Sequence, residues 1–261
     1  MQPRSSEPRP PTRQSIHRGP EGGPDVRPEA LLGVLAHELR TPITTIYAGS
    51  AVLARDEALL PAMRRELAAD VQAEAARLFR AVEDLLVLTR LEHDALEVSR
   101  EPISMARMVE GAAQLEAARW PDLQMALRLD GSAPPVAADA AATAHALRNL
   151  IANIGSRAHG PSDLVISVAS EPDGVVTTLV DRTGSLEADD LPALFDLPAG
   201  DPRPGMASPG IALFVAARLI EAMQGTIWAR QRVDDAAAAG PPVGDHPVIE
   251  IGFRLPRYAS A

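Results

Sequence analysis

The chain has 261 residues, 46% of them hydrophobic, which is enough for one or two domains with a buried core. It has no cysteine, so disulfides and thiolate metal sites are excluded, and a formal net charge of −10 speaks against the basic face of a nucleic-acid binder. No run of about 18 apolar residues is present to span a membrane, and the first residues lack the basic-then-apolar pattern of a secretion signal. A cytoplasmic location is the expectation that follows.

Residues 1–28 are dense in Pro, Arg, Gly and Ser. Such a segment buries too little apolar surface to offset the entropy of ordering, so a disordered tail is predicted. From Pro28 the composition turns to helix formers. Leu32, Leu35, Leu39, Pro42, Ile46, Gly49 and Leu53 recur at spacings of three and four, a heptad seam. A break falls near Asp56 to Pro61, and Pro61 suits the first turn of a second helix running to about Leu91. Its inner stripe is Val71, Ala75, Leu78, Val82 and Leu85. Two long helices and a short loop make an antiparallel hairpin over residues 29–97, and one hairpin leaves an apolar stripe half covered. Pairing two copies into a four-helix bundle covers it, so a homodimer is expected.

Residues 98–261 read as a second domain. Helices are predicted at Ser104 to Arg119, Asp139 to Arg157 and Gly210 to Met223. Strands are predicted at Leu123 to Leu129, Leu164 to Ser170, Val175 to Asp181, from Thr226, and at Val248 to Leu255. Glu171-Pro172-Asp173-Gly174 is a hairpin turn between two of the strands, and residues 234–247 are an inserted loop. The fold class is therefore α+β: a dimeric helical hairpin followed by an α/β sandwich with helices on one face of a mixed sheet.

The sharpest local pattern is His37-Glu38-Leu39-Arg40-Thr41-Pro42. With Leu35 and Leu39 facing inward, His37 falls on the outer face, sterically free to act as a nucleophile. Glu38 can accept a hydrogen bond from one ring nitrogen and leave the other's lone pair free. Thr41 lies one turn on, on the same face, and Pro42 removes the helix hydrogen bond to the Glu38 carbonyl. Further along, His145, Asn149 and Asn153 fall at i, i+4 and i+8 on one helix face.

The six residues from His37 resemble the phosphoacceptor box of sensor histidine kinases in two-component systems. Leu85-Leu86-Val87-Leu88-Thr89-Arg90-Leu91-Glu92 is similar to the end of that family's second bundle helix. The resemblance implies that His37 takes the γ-phosphoryl group of ATP and passes it to an Asp of a response regulator receiver domain. It gives Glu38 the role of acid/base, and Thr41 that of positioning water for dephosphorylating the regulator.

The same resemblance makes the second domain an ATP-binding-like module. Asn149 to Asn153 is similar to the family's N box, which implies that Asn153 ligates Mg²⁺ through its side-chain oxygen. Asp181, followed by Phe195 at the family's spacing, would accept from the adenine amino group. After it the family's Asn-Gly-x-Gly is replaced by Arg182-Thr183-Gly184-Ser185. Its Gly-x-Gly-Leu-Gly-Leu is matched by Ser208-Pro209-Gly210-Ile211-Ala212-Leu213, in which Pro209 offers no amide to a phosphate. Gly184, Ser208, Gly210 and Ala212 are the nucleotide-cradle positions that result, under a lid of about Glu187 to Pro209. The tail is too short and polar for a sensor domain, so the signal is expected to arrive through a separate sensor protein or through the tail itself. The altered glycine boxes leave an alternative, a kinase-inactive dimeric phosphotransfer, phosphatase or regulator-binding module of the same fold.

Overall fold

A computed structural model describes residues 15–18, 28–55, 59–92, 98–157, 162–182, 188–197, 211–232 and 248–259. Two long helices come first, α1 (Pro28–Arg55) and α2 (Pro61–Glu92), packed against each other as a hairpin. Each opens on a proline, whose missing N–H costs nothing in a first turn. The seam read from the sequence faces inward: Leu35, Pro42 and Gly49 are buried, and Leu39, Ile46 and Leu53 are partly so. Gly49 is the point of closest approach, because a Cβ there would lie 2.6 Å from Cγ2 of Val71. On α2, Val71, Leu78 and Leu85 are half-buried, whereas Ala75 and Val82 stay exposed.

The second unit is built on a six-stranded sheet and a layer of helices. The strands are β1 (Ser15–Arg18), β3 (Leu123–Leu129), β5 (Ser162–Glu171), β6 (Gly174–Asp181), β7 (Thr226–Arg232) and β8 (Val248–Leu255). They run in the order β1-β7-β8-β6-β5-β3, antiparallel throughout except for the parallel pair β3–β5. Helices α3 (Met105–Ala117), α4 (Ala140–Gly155) and α5 (Ala212–Ala222) pack side by side and on the sheet. Their buried faces alternate at helical period, for instance Leu147, Leu150, Ile151 and Ile154 on α4. A small antiparallel pair, β2 (Glu101–Ile103) with β4 (Val136–Ala138), lies outside the main sheet.

Two expectations need correction. Ser15–Arg18, assigned to a disordered tail, adds an edge strand, with Ile16 opposite Ala229 and His17 opposite Trp228. Backbone pairing supplies what this polar segment lacks in apolar surface. The stretch read as a lid is also not uniform. Residues 188–193 form a 3₁₀ turn, and Leu191, Leu194 and Phe195 are buried in the core. The remainder of that stretch, with Gly184, Ser208 and Gly210, lies outside the described residues, as does the loop at 234–247.

The hairpin and the sheet unit share one apolar cluster. Leu31, Leu35 and Leu88, at the open end of the hairpin, are buried together with Leu147, Phe195, Phe214 and Phe253. No helix among the described residues is long and apolar enough to cross a membrane.

Candidate functional site

His37 stands in the second turn after Leu31 on α1, half-buried, on the side away from the buried Leu35 and Pro42. Its neighbour Glu38 reaches across the hairpin to Arg77 of α2 at 3.7 Å. That separation makes a weak pair, which turns the carboxylate towards α2. Thr41 is exposed one turn on, its hydroxyl 3.5 Å from the His37 carbonyl. Thr44 and Thr45 donate to the carbonyls of Arg40 (2.8 Å) and Thr41 (3.2 Å). Hydroxyls thus line the helix around Pro42, where the ladder lacks an N–H donor. His37, Glu38 and Thr41 thus stand within about one turn of α1, with Glu38 directed to Arg77 and Thr41 to a backbone carbonyl.

The nucleotide-side residues divide. His145 and Asn149 do share a face of α4, but that face is turned onto α2. Asp84 of α2, which sequence reasoning did not single out, accepts from both through Oδ1: 2.6 Å from His145 Nε2 and 2.7 Å from Asn149 Nδ2. Asn149 Nδ2 also donates to the Ala212 carbonyl at 3.2 Å, so Asn149 and Ala212 do meet, through a backbone oxygen at the start of α5. Asp181 is buried at the end of β6, opposite Leu164 of β5 and Ile249 of β8.

Asn153 is buried, and its side-chain oxygen accepts from the guanidinium of Arg157, one turn further on. Arg157 Nε donates to the Asn153 carbonyl at 3.1 Å. The oxygen that the resemblance assigns to Mg²⁺ thus already has a cation against it, and an ion placed there would require the Arg157 guanidinium to turn away. Among the described residues there is also no group of three His, Cys, Asp or Glu that could hold a metal.

At the N-terminus of α4, Asp139 caps the helix. Its carboxylate accepts from the Ala142 N–H at 2.9 Å and, through the other oxygen, from the Ser99 hydroxyl at 2.9 Å and the Ser99 N–H at 3.2 Å. Burial pushes its pKa up, but these donors, with the Ala141 N–H, outweigh it and hold the carboxyl below its ordinary value. The cap ties the segment that follows the hairpin to the helix carrying Asn149.

Comparison with known proteins bears on the family and the fold. Residues 29–94 match the His Kinase A (phospho-acceptor) domain. TcrY of Mycobacterium tuberculosis, a probable sensor histidine kinase, is 32% identical over 201 residues, which cover 74% of this chain and 41% of TcrY. ShkA, solved full-length with AMPPNP, matches at a TM-score of 0.56 and 22% identity, over 90% of this chain and 47% of ShkA. ThkA, solved with the response regulator protein TrrA, matches at a TM-score of 0.54 and 15% identity, over 87% of this chain and 61% of ThkA. The chain belongs to the sensor histidine kinase family, with a phosphoacceptor hairpin followed by the family's α/β domain. It spans about two fifths of the length of TcrY.

Proposed function

We propose that the chain is an ATP:protein-histidine phosphotransferase that works as a homodimer on the cytoplasmic side. Residues 29–97 act as the dimerisation and phosphotransfer domain and 98–261 as the ATP-binding domain. The observation that carries the reading is His37: a half-exposed imidazole on a phosphoacceptor hairpin, flanked by Glu38 and by Thr41 one turn on.

In the proposed reaction a ring-nitrogen lone pair of His37 attacks the γ-phosphorus of ATP in line. The N–P bond forms, the bond to the bridging oxygen breaks, and ADP leaves. The proton on the attacking imidazole passes to Glu38. Most of the rate gain comes from positioning ATP opposite His37. In the second half-reaction the phosphoryl group moves to the Asp of a receiver domain, and a separate sensor protein supplies the signal. Asp181 would take the adenine amino group, with Gly184, Ser208, Gly210 and Ala212 near the phosphates. A Mg²⁺ ion accompanying ATP would have to displace Arg157 from Asn153. The AMPPNP bound to ShkA and the regulator bound to ThkA support the nucleotide and the partner.

A second reading is favoured by the same contact between Arg157 and Asn153: a kinase-inactive module that binds the regulator and removes its phosphoryl group with a water positioned by Thr41. Incubating the full chain and His37→Gln with Mg²⁺ and γ-labelled ATP separates the two. Acid-labile label on the wild type and none on the variant is expected. An unlabelled wild type sinks the kinase reading, and a labelled variant sinks His37.

A further inference from the structure

Asp84 is 3% exposed, yet it lies between two units rather than inside one. A buried carboxyl is costly unless donors surround it, and both of the donors found here come from α4, on the other unit. The contact is specific in its chemistry. Arg148 Nη2 lies 3.1 Å from His145 Nδ1, and a guanidinium can only donate. Nδ1 is therefore the acceptor, and the hydrogen on Nε2 points at Asp84. Arg148 also pairs with Glu83, the residue before Asp84, at 3.0 Å. Two consecutive acids on α2 thus hold three donor side chains, His145, Arg148 and Asn149, from about one turn of α4, with Leu88 buried one turn beyond. Asp84 stands seven residues from Arg77, so the contact sits about 10 Å along the hairpin from the level of Glu38, towards its open end.

Both hydrogens of the Asn149 amide nitrogen are taken by this arrangement, one by Asp84 and the other by the Ala212 carbonyl. We propose that Asp84 is a latch: it docks α4 of the nucleotide domain on the hairpin by taking the Asn149 N–H, so docking and donation by Asn149 to a nucleotide exclude each other. This rests on the proposed nucleotide role of Asn149. By reciprocity, whatever weakens the latch strengthens nucleotide binding by the same factor, and nucleotide releases the domain to swing towards His37.

The test titrates trinitrophenyl-ATP into the full chain, wild type against Asp84→Ala. The variant is expected to bind about tenfold more tightly, or to bind measurably where the wild type does not. Asp84→Asn keeps the accepting oxygen without its charge and is expected to fall between the two. If Asp84→Ala does not fold, judged by its circular dichroism melt, His145→Ala removes one donor from the nucleotide side and is expected to shift affinity the same way by less. A merely structural Asp84 would lower the melting temperature and leave affinity unchanged or weaker. Folded variants that bind no more tightly than the wild type overturn the latch. Tighter binding with no label on His37 would overturn the kinase reading and leave the latch standing. Labelled His37 with unchanged affinities does the reverse.

Discussion

The carboxyl of Asp139 shows how one side chain couples helix, linker and pH. Its charged form is favoured by the N–H groups of Ala142 and Ala141 and by Ser99, against the opposing effect of burial. A carboxyl held low in the folded chain adds stability above its unfolded-state pKa, and that stability is lost as pH falls through its folded value. Asp139→Ala is therefore expected to cost about 1 kcal/mol at pH 7. That loss corresponds to a fall of roughly 3 °C in melting temperature for a chain of this size. The gap between variant and wild type should narrow as pH falls below about 4 and close once pH has passed the lower folded value, where the wild type too lacks the charge. Melting curves at the two pH values decide it; a gap that is constant with pH would remove the charged cap from the account. Asp139 was visible in the sequence as the start of an Ala-rich helix. Its second partner, Ser99, 40 residues away, was not, since only the folded linker brings it near.

At the scale of elements, periodicity carried furthest where segments are long. The hairpin helices, α4 and the β5–β6 hairpin were legible because their apolar spacing repeats several times over. Strands β2 and β4, three residues each and one containing Pro102, are too short to show a period and form only because they meet each other. Ser15–Arg18 was hidden for a related reason: its partner is an edge of a sheet assembled more than 200 residues later in the chain. The end of α5 is a case in which local chemistry and geometry disagree. Gln224 N–H donates to Glu221 O and Gly225 N–H to Ile220 O, both at 2.8 Å, closing the helix with residue 224 at φ 60°. That conformation costs a side-chain-bearing residue about 1 kcal/mol. Gly225, which follows, is fixed for another reason, as a Cβ there would lie 2.5 Å from the Arg254 carbonyl. Gln224→Gly is thus expected to raise the melting temperature by about 2 °C, net of the extra freedom glycine gives the unfolded chain. A lower melting temperature would mean that the Gln224 side chain holds something worth more than the strain.

For the whole molecule, the hairpin is the unit that a single chain leaves unfinished. Tyr47 is 76% exposed and Phe79 63%, with Ile43 on the same face as Tyr47 and with Val82 and Leu86 following Phe79 at spacings of three and four. Val82, read from the sequence as part of the inner stripe of α2, is among the side chains left open, while Leu85 of the same stripe is half-buried. On the other surface, the face of α4 that the sequence grouped through His145 and Asn149, Asp84 of α2 is the neighbour in the structure. Periodicity shows which residues lie together and says nothing about what packs on them, so Asp84, on another helix, could not be inferred. The two surfaces have separate consequences, because Asp84 stands two residues from both Val82 and Leu86, about 200° around α2, and so faces the opposite way. If the exposed stripes are the seam of a homodimer, a charge at their centre should split the dimer without opening the latch. Phe79→Glu is expected to sediment as a monomer where the wild type sediments at twice the chain mass, while its affinity for trinitrophenyl-ATP stays as in the wild type. A variant that remains dimeric would move the dimer interface off this face of α2, and one that is monomeric with altered nucleotide affinity would mean that dimer seam and latch are a single device.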